Sequence, residues 1–180
     1  MIKVVFIRHS KTKGNLLHRY IGKTDESLCK EGYEILKSKT YPSADIIYCS
    51  PMLRCIESAD FIYKDLKKVI INDFKECDFG TFENKNYMEL NGNTDYQKWI
   101  DRNGQMPFPE GEDINSFKER CVTAFEKVIE SSIKNEYKTI ALVVHGGTIM
   151  SILDRYSFPH KDYYGWMIDN GEMIISYLNK

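Results

Sequence analysis

Two histidines stand directly behind short apolar runs. VVFI leads into Arg8 and His9, and IALVV leads into His145, Gly146, Gly147 and Thr148. Charged and polar side chains lose solvation when buried, so a strand that ends on one is placing it where it can meet something. A third run, DIIYC, is followed by Ser50, Pro51 and then Arg54. A fourth, KVIIN, is followed by DFKECDFGTFEN with Glu76, Asp78 and Glu83 around Gly80. Each residue alone has a simpler reading: a satisfied structural histidine, a solvated arginine, an acidic loop. Taken together, two arginines, two histidines and a carboxylate describe a pocket for a dianion. Guanidinium forks match phosphate oxygens bidentately, a histidine can act as nucleophile, and a carboxylic acid can protonate a leaving oxygen.

The elements that must position these groups are legible as alternating strands and helices. IKVVFI (2–7), DIIYC (45–49), KVIIN (68–72), TIALVV (139–144) and MIISYL (173–178) read as strands, mostly too apolar to be solvated on one face. Met52, Cys55, Ile56, Ala59, Ile62, Tyr63 and Leu66 recur at helical spacing, with Ser50 as the expected N-cap and Pro51 as the first helical residue. Ile114, Phe117, Cys121, Ala124, Phe125, Val128 and Ile129 predict a second, longer helix. The pattern implies an α/β three-layer sandwich with a largely parallel central sheet and helices on both faces. In such sheets ligands bind at the carboxyl ends of the strands, which would bring His9 and His145 to one edge.

Bulk properties narrow the setting. The chain has 180 residues, a net charge of −1 and a pI near 6.4, which suits one domain spanning 1–180. No basic excess points to nucleic acid or an anionic membrane. Arg8 and His9 interrupt the only N-terminal apolar run, so no signal-peptide core is present and a cytoplasmic location is expected. Five cysteines without a C-x-x-C pair suit neither a disulfide framework nor a zinc site. Cys49, Cys55 and Cys121 read as small core residues. From about 83 to 112 the chain turns polar yet carries Tyr87, Tyr96, Trp99, Met106 and Phe108. This is either a cap-like insertion with short helices or a surface excursion whose aromatics dock on the core.

RHSKTKGN (8–15) resembles the R-H-G-E-T-x-x-N signature of the histidine phosphatase superfamily, the phosphoglycerate-mutase-like enzymes. The resemblance runs on through DESLCKEG (25–32), SPMLRCIESA (50–59), ECDFGTFEN (76–84), PEGED (109–113) and VVHGGTI (143–149), in order and over nearly the whole chain. It implies that His9 attacks phosphorus to form a phosphohistidine. Arg8, Arg54 and His145 would hold the phosphoryl oxygens with help from Asn15, and Gly146 would join the substrate contacts. Glu76 would protonate the leaving alkoxide and then deprotonate water. No cofactor and no metal is implied, because cationic side chains neutralise the phosphoryl oxygens. His9 must be neutral to attack, which predicts that a backbone carbonyl of its loop holds the other ring nitrogen. Glu83 is expected to be a loop-ordering carboxylate rather than part of the chemistry.

The match departs at Ser10 and Lys11, where the family has Gly and Glu, and at Ser27 and Cys29, where it has Pro and Thr. Ser10 is either tolerated, or donates its hydroxyl to phosphate, or cripples the pocket and leaves a phosphate-binding relic. About sixty residues separate Glu76 from the strand before His145, a span that resembles the phosphatase branch, including the α-ribazole phosphatases, rather than the longer mutases. The implied function is a phosphomonoesterase acting on a small, ring-bearing metabolite. The alternatives are a cofactor-dependent phosphoglycerate mutase and a catalytically weak regulatory module. A metal-dependent hydrolase is poorly matched, since the carboxylates lack metal-ligand spacing.

Overall fold

The computed structural model describes residues 1–104 and 106–178. Five strands form one sheet: β1 (Ile2–Arg8), β2 (Ile46–Cys49), β3 (Lys68–Ile70), β4 (Thr139–Val144) and β5 (Met173–Leu178), in the order β3-β2-β4-β1-β5. All neighbouring pairs are parallel except β1 with β5. The helices are α1 (Lys13–Leu16), α2 (Lys30–Lys37), α3 (Leu53–Ile62), α4 (Thr94–Asp101), α5 (Ile114–Lys134) and α6 (Gly146–Tyr156).

Side-chain alternation along β1 explains the layering. Val4 and Phe6 face Phe125 and Val128 of α5 and Ile149, Ile152 and Leu153 of α6. Val5 and Ile7 face the opposite way, onto Cys55 and Ala59 of α3. Both faces are therefore covered, and the near-continuous apolar strands follow from that. The expected α/β sandwich is what forms. Cys49, Cys55 and Cys121 are buried free thiols, as is Cys77.

Three local expectations change. The strand over 68–72 stops at Ile70, and Asn72–Phe74 forms a 3-10 turn. α3 ends at Ile62 rather than reaching Leu66. Its N-cap is Met52, without a side-chain bond, and not Ser50. The cap is supplied from elsewhere: Asp25 accepts the Leu53 N–H at 2.8 Å, while the Ser50 hydroxyl turns towards His145.

The segment over 83–112 carries α4, whose N-cap Asn93 accepts from Asp95 and Tyr96 N–H. Tyr96, Trp99 and Phe108 pack with Phe82 and Tyr20 or Phe79 in edge-on and tilted ring contacts, whereas Tyr87 is 60% exposed. Its first residues are stitched to the loop after α1. Tyr20 N–H donates to Lys85 O, Asn84 N–H donates to Tyr20 O, Arg19 bridges to Asn86, and Arg19 pairs with Glu89 at 2.7 Å. No helix among the described residues is long and apolar enough to cross a membrane.

α5 contributes Phe117, Cys121, Ala124, Phe125 and Val128 to the buried core, and its first turn is held by Asp113, which accepts Ser116 N–H at 2.9 Å. Asp113→Ala is expected to cost about 1 kcal/mol, the usual worth of such a cap, read as a lowered urea midpoint. An unchanged midpoint would mean that packing alone holds the helix end.

Candidate active site

Strand pairing brings the two histidines together. β1 and β4 run parallel with Arg8 opposite Val144, so the next residues, His9 and His145, leave the sheet side by side. Their ring centroids are 5.2 Å apart, edge to face, and both are almost completely buried. His9 Nδ1 lies 2.7 Å from Ser10 O. A carbonyl only accepts, so Nδ1 carries the proton and Nε2 is left with its lone pair, as the need for a neutral nucleophile predicts. Burial, with Arg54 and Arg8 nearby, holds the His9 imidazolium well below its ordinary value of 6.5. His145 is held down in the same way, by burial and then Arg54. Its Nε2 meets the Ser50 hydroxyl at 2.7 Å, and Cys55 Sγ lies 3.5 Å away.

A cavity of about 280 Å3 opens in front of His9. Arg8, His9, Asn15, Glu76, Gly146 and Gly147 form its polar end. Arg8 Nη1 donates to Ile168 O at 2.6 Å, while its buried Nε has no protein partner. Asn15 is fixed through its Oδ1, which accepts from Thr12 and Asn170. Gly146 and Gly147 open α6, where first-turn N–H groups have no intrahelical acceptor. Gly147 N–H donates to Glu76 Oε2 at 3.3 Å, and Cys77 N–H to Oε1 at 3.0 Å. These bonds favour the carboxylate, yet burial outweighs them and raises the Glu76 pKa above 4.5. A Cβ at Gly147 would sit 2.5 Å from Glu76 Oε1 and 2.9 Å from the Phe117 ring, so a side chain there would displace the carboxyl.

Arg54 and His145 lie one layer deeper and do not line the cavity. Arg54 is wholly buried. Its Nη1 donates to Thr24 O at 2.8 Å and its Nη2 to Gly22 O at 2.8 Å, with Ile21 O at 3.4 Å. Its Nε has no partner. Ser10, where a glycine was expected, does not face the cavity. Its hydroxyl donates to Gly32 O at 2.7 Å, its N–H donates to Ser58, and its φ is not positive. That bonding fits a tolerated replacement rather than a phosphate donor or a crippled loop.

The rest of the cavity wall is apolar. It is built from Tyr20, Phe79, Trp99, Phe108, Phe117, Met150, Tyr163, Tyr164 and Met167, with Arg19 at its edge. Of the aromatics flagged in the 83–112 segment, only Trp99 and Phe108 reach it; Tyr96 packs behind and Tyr87 faces solvent. Sequence reasoning missed Ser50, Asn170, Arg19 and the walls from α5, α6 and Tyr163–Met167. Asn170-Gly171 before β5 was the one available signal, a turn dipeptide whose Asn170 side chain donates to His9 O at 3.0 Å.

Comparison with known proteins decides the family. The model of the histidine phosphatase superfamily (branch 1) matches residues 4–179. The chain belongs to that superfamily. A broad-specificity phosphatase of Saccharomyces cerevisiae is 24% identical over 97% of this chain and 79% of its own. The α-ribazole phosphatase of Shigella flexneri shares the fold at a TM-score of 0.82 and 23% identity, covering 99% of this chain and 92% of that one. A phosphoserine phosphatase of Entamoeba histolytica, solved with phosphoserine, is 30% identical with a TM-score of 0.77, covering 97% and 90%. As a superfamily enzyme, the chain has relatives named as phosphatases.

The neutral histidines have a cost in acid. In the unfolded chain both imidazoles take up a proton as pH falls through about 6.5, whereas the folded site keeps them neutral. Their contribution to stability is therefore intact above that value and declines below it. The urea midpoint is expected to fall between about pH 7.5 and about pH 5.5, and to fall less steeply in His145→Asn. Equal slopes would mean that His145 titrates alike in both states.

Proposed function

We propose that this chain is a metal-independent phosphomonoesterase that works through a phosphohistidine. The observation that carries the reading is the pairing of His9, neutral with its Nε2 lone pair available, with Arg8, whose buried Nε–H lacks a protein partner beside the cavity, and with the wholly buried Arg54 behind it. A buried donor without a protein partner beside a cavity can be satisfied by a ligand, and a phosphoryl dianion suits the charge and shape of the Arg8 guanidinium.

In this reading Arg8, Asn15 and the α6 N-terminus at Gly146 hold the phosphoryl oxygens, with Arg54 and His145 behind them. His9 Nε2 attacks phosphorus in line as the ester P–O bond breaks, and Glu76 gives its proton to the leaving alkoxide. The resulting carboxylate then takes a proton from water, whose oxygen attacks the phosphohistidine and frees His9 and phosphate. The raised pKa of Glu76 suits the first step, and an incoming dianion raises it further. The 83–112 segment serves as a cap-like part of a single domain, with Trp99 and Phe108 as its contribution to the pocket.

The aromatic wall favours a leaving group that carries a ring, of which α-ribazole 5'-phosphate is the candidate. A second reading, phosphoserine, is supported by the 30% identical Entamoeba relative. Against it, Arg19, the cation at the outer edge, is already paired with Glu89. The deciding assay is phosphate release in chelator from p-nitrophenyl phosphate, α-ribazole 5'-phosphate and phosphoserine, for wild type and His9→Ala. The expected outcome is a higher kcat/KM for the ring-bearing esters and loss of all turnover in the mutant. Preference for phosphoserine would select the second reading. Isomerisation of 3-phosphoglycerate faster than its hydrolysis would select a mutase, and no turnover at all would overturn the enzyme assignment.

Glu76→Gln separates its role from binding. It is expected to lower kcat for alkyl phosphates by about 100-fold or more, the usual worth of a general acid, while p-nitrophenyl phosphate, whose leaving group hardly needs a proton, loses far less. Equal losses would assign Glu76 another task.

A further inference from the structure

Arg54 is unusual among the site groups in being wholly buried with no carboxylate paired to it among the described residues. Its guanidinium is aimed instead by the carbonyls of Ile21, Gly22 and Thr24. Those residues belong to a loop without helix or strand of its own, so something must hold their carbonyls in place. The other side of the same peptides shows what does. Glu83 Oε1 accepts Gly22 N–H at 2.8 Å and Thr24 N–H at 2.9 Å, and its Oε2 accepts Phe79 N–H at 3.2 Å. One carboxylate thereby gathers donors from the 22–24 loop and from the segment just after Glu76.

We infer that Glu83 is the positioning residue for Arg54: it fixes the loop at residues 21–24 so that the loop's carbonyls hold the Arg54 guanidinium in place directly behind the phosphoryl site. Glu83 itself lies outside the cavity lining and touches no reacting atom. The loop is packed closely against the carboxylate that holds it. A Cβ at Gly22 would fall 1.9 Å from Cys77 O and 2.9 Å from Glu83 Oε2, so the loop backbone is pressed against both the carboxylate and the strand of chain that bears Glu76. Three charge-assisted bonds to backbone N–H are strong ones. Their loss lets the loop relax, and the carbonyl cradle of Arg54 relaxes with it. The inference deepens the proposed function and rests on the place given there to the Arg54 cation, behind the groups that hold the phosphoryl oxygens.

The test is a double-mutant cycle read by calorimetric titration of inorganic phosphate, which needs no turnover. Glu83→Gln keeps the size of the side chain and removes its charge and one acceptor. It is expected to weaken phosphate binding about tenfold in the wild-type background, as neighbours in one network do. In an Arg54→Lys background the same change is expected to alter binding less than about twofold, because the group it positions is gone. In turnover, KM for p-nitrophenyl phosphate should rise more than kcat falls. Equal weakening in both backgrounds, or no weakening in the first, would overturn the inference. Should Glu83→Gln fail to fold, Glu83→Asp, which keeps the charge but withdraws it from the loop, goes through the same cycle under the same criteria. A wild type that neither binds phosphate nor releases it from esters would overturn the phosphatase reading itself, an outcome distinct from failure of the cycle.

Discussion

Parallel pairing of β1 with β4 is the constraint on which the site depends. The ladder ends with Arg8 opposite Val144, and both chains leave it at the same height carrying an imidazole. Parallel strands need long crossovers, and here everything from α1 to α5 lies between the two. The groups that serve the histidines arrive in that interval: Asn15, the 21–24 loop, Arg54 and Glu76 each come from a connection leaving the same edge. One antiparallel strand, β5, closes the far side of β1 and brings Asn170 and Gly171 against the carbonyls of Arg8 and His9. The loop that carries His9 is thus gripped from both flanks before any ligand is considered.

Electrostatically the centre is unfinished. Arg8 and Arg54 bring positive charge into a region with little water, and the protein answers them mainly with carbonyl dipoles: Ile168 for one, the 21–24 loop for the other. Neither arginine forms an ion pair with a carboxylate among the described residues, although Glu76 and Asp169 lie near enough to favour the Arg8 cation, and burying such charge costs stability. It also depresses protonation of both imidazoles, which keeps a nucleophile available at neutral pH. Glu76, the carboxyl among the cavity-lining residues, has its own pKa raised by burial. The excess of positive potential is what a dianion would relieve.

Much of this was legible in the chain because the signals were local. Apolar runs bounded by polar residues marked the strands, and the residues just past β1, β3 and β4 line the candidate site. The loop-ordering role expected of Glu83 is visible as three N–H bonds. What could not be read depended on partners distant in sequence. Ser50 satisfied every local rule for an N-cap, but His145 offered its hydroxyl a buried partner 2.7 Å away and Asp25 took over the cap. Arg54 was correctly placed on the first turn of α3, yet its depth is set by carbonyls some thirty positions earlier. The apolar wall was illegible because it is assembled from single residues of several loops and helices, with no period to reveal it.

The stitching of residues 84–86 to residues 17–20 has a consequence for how such an enzyme can change its diet. Tyr20 lines the cavity and also shares two backbone bonds with the start of the aromatic segment. The aromatic wall of the cavity is therefore not a module that can be exchanged freely against a constant base. A transplanted segment would have to carry its own matching residues after α1, or it would drag on the loop that begins at His9. Variation in substrate range within this scaffold should then appear as paired change in two stretches about sixty-five residues apart, one of them adjoining the nucleophile.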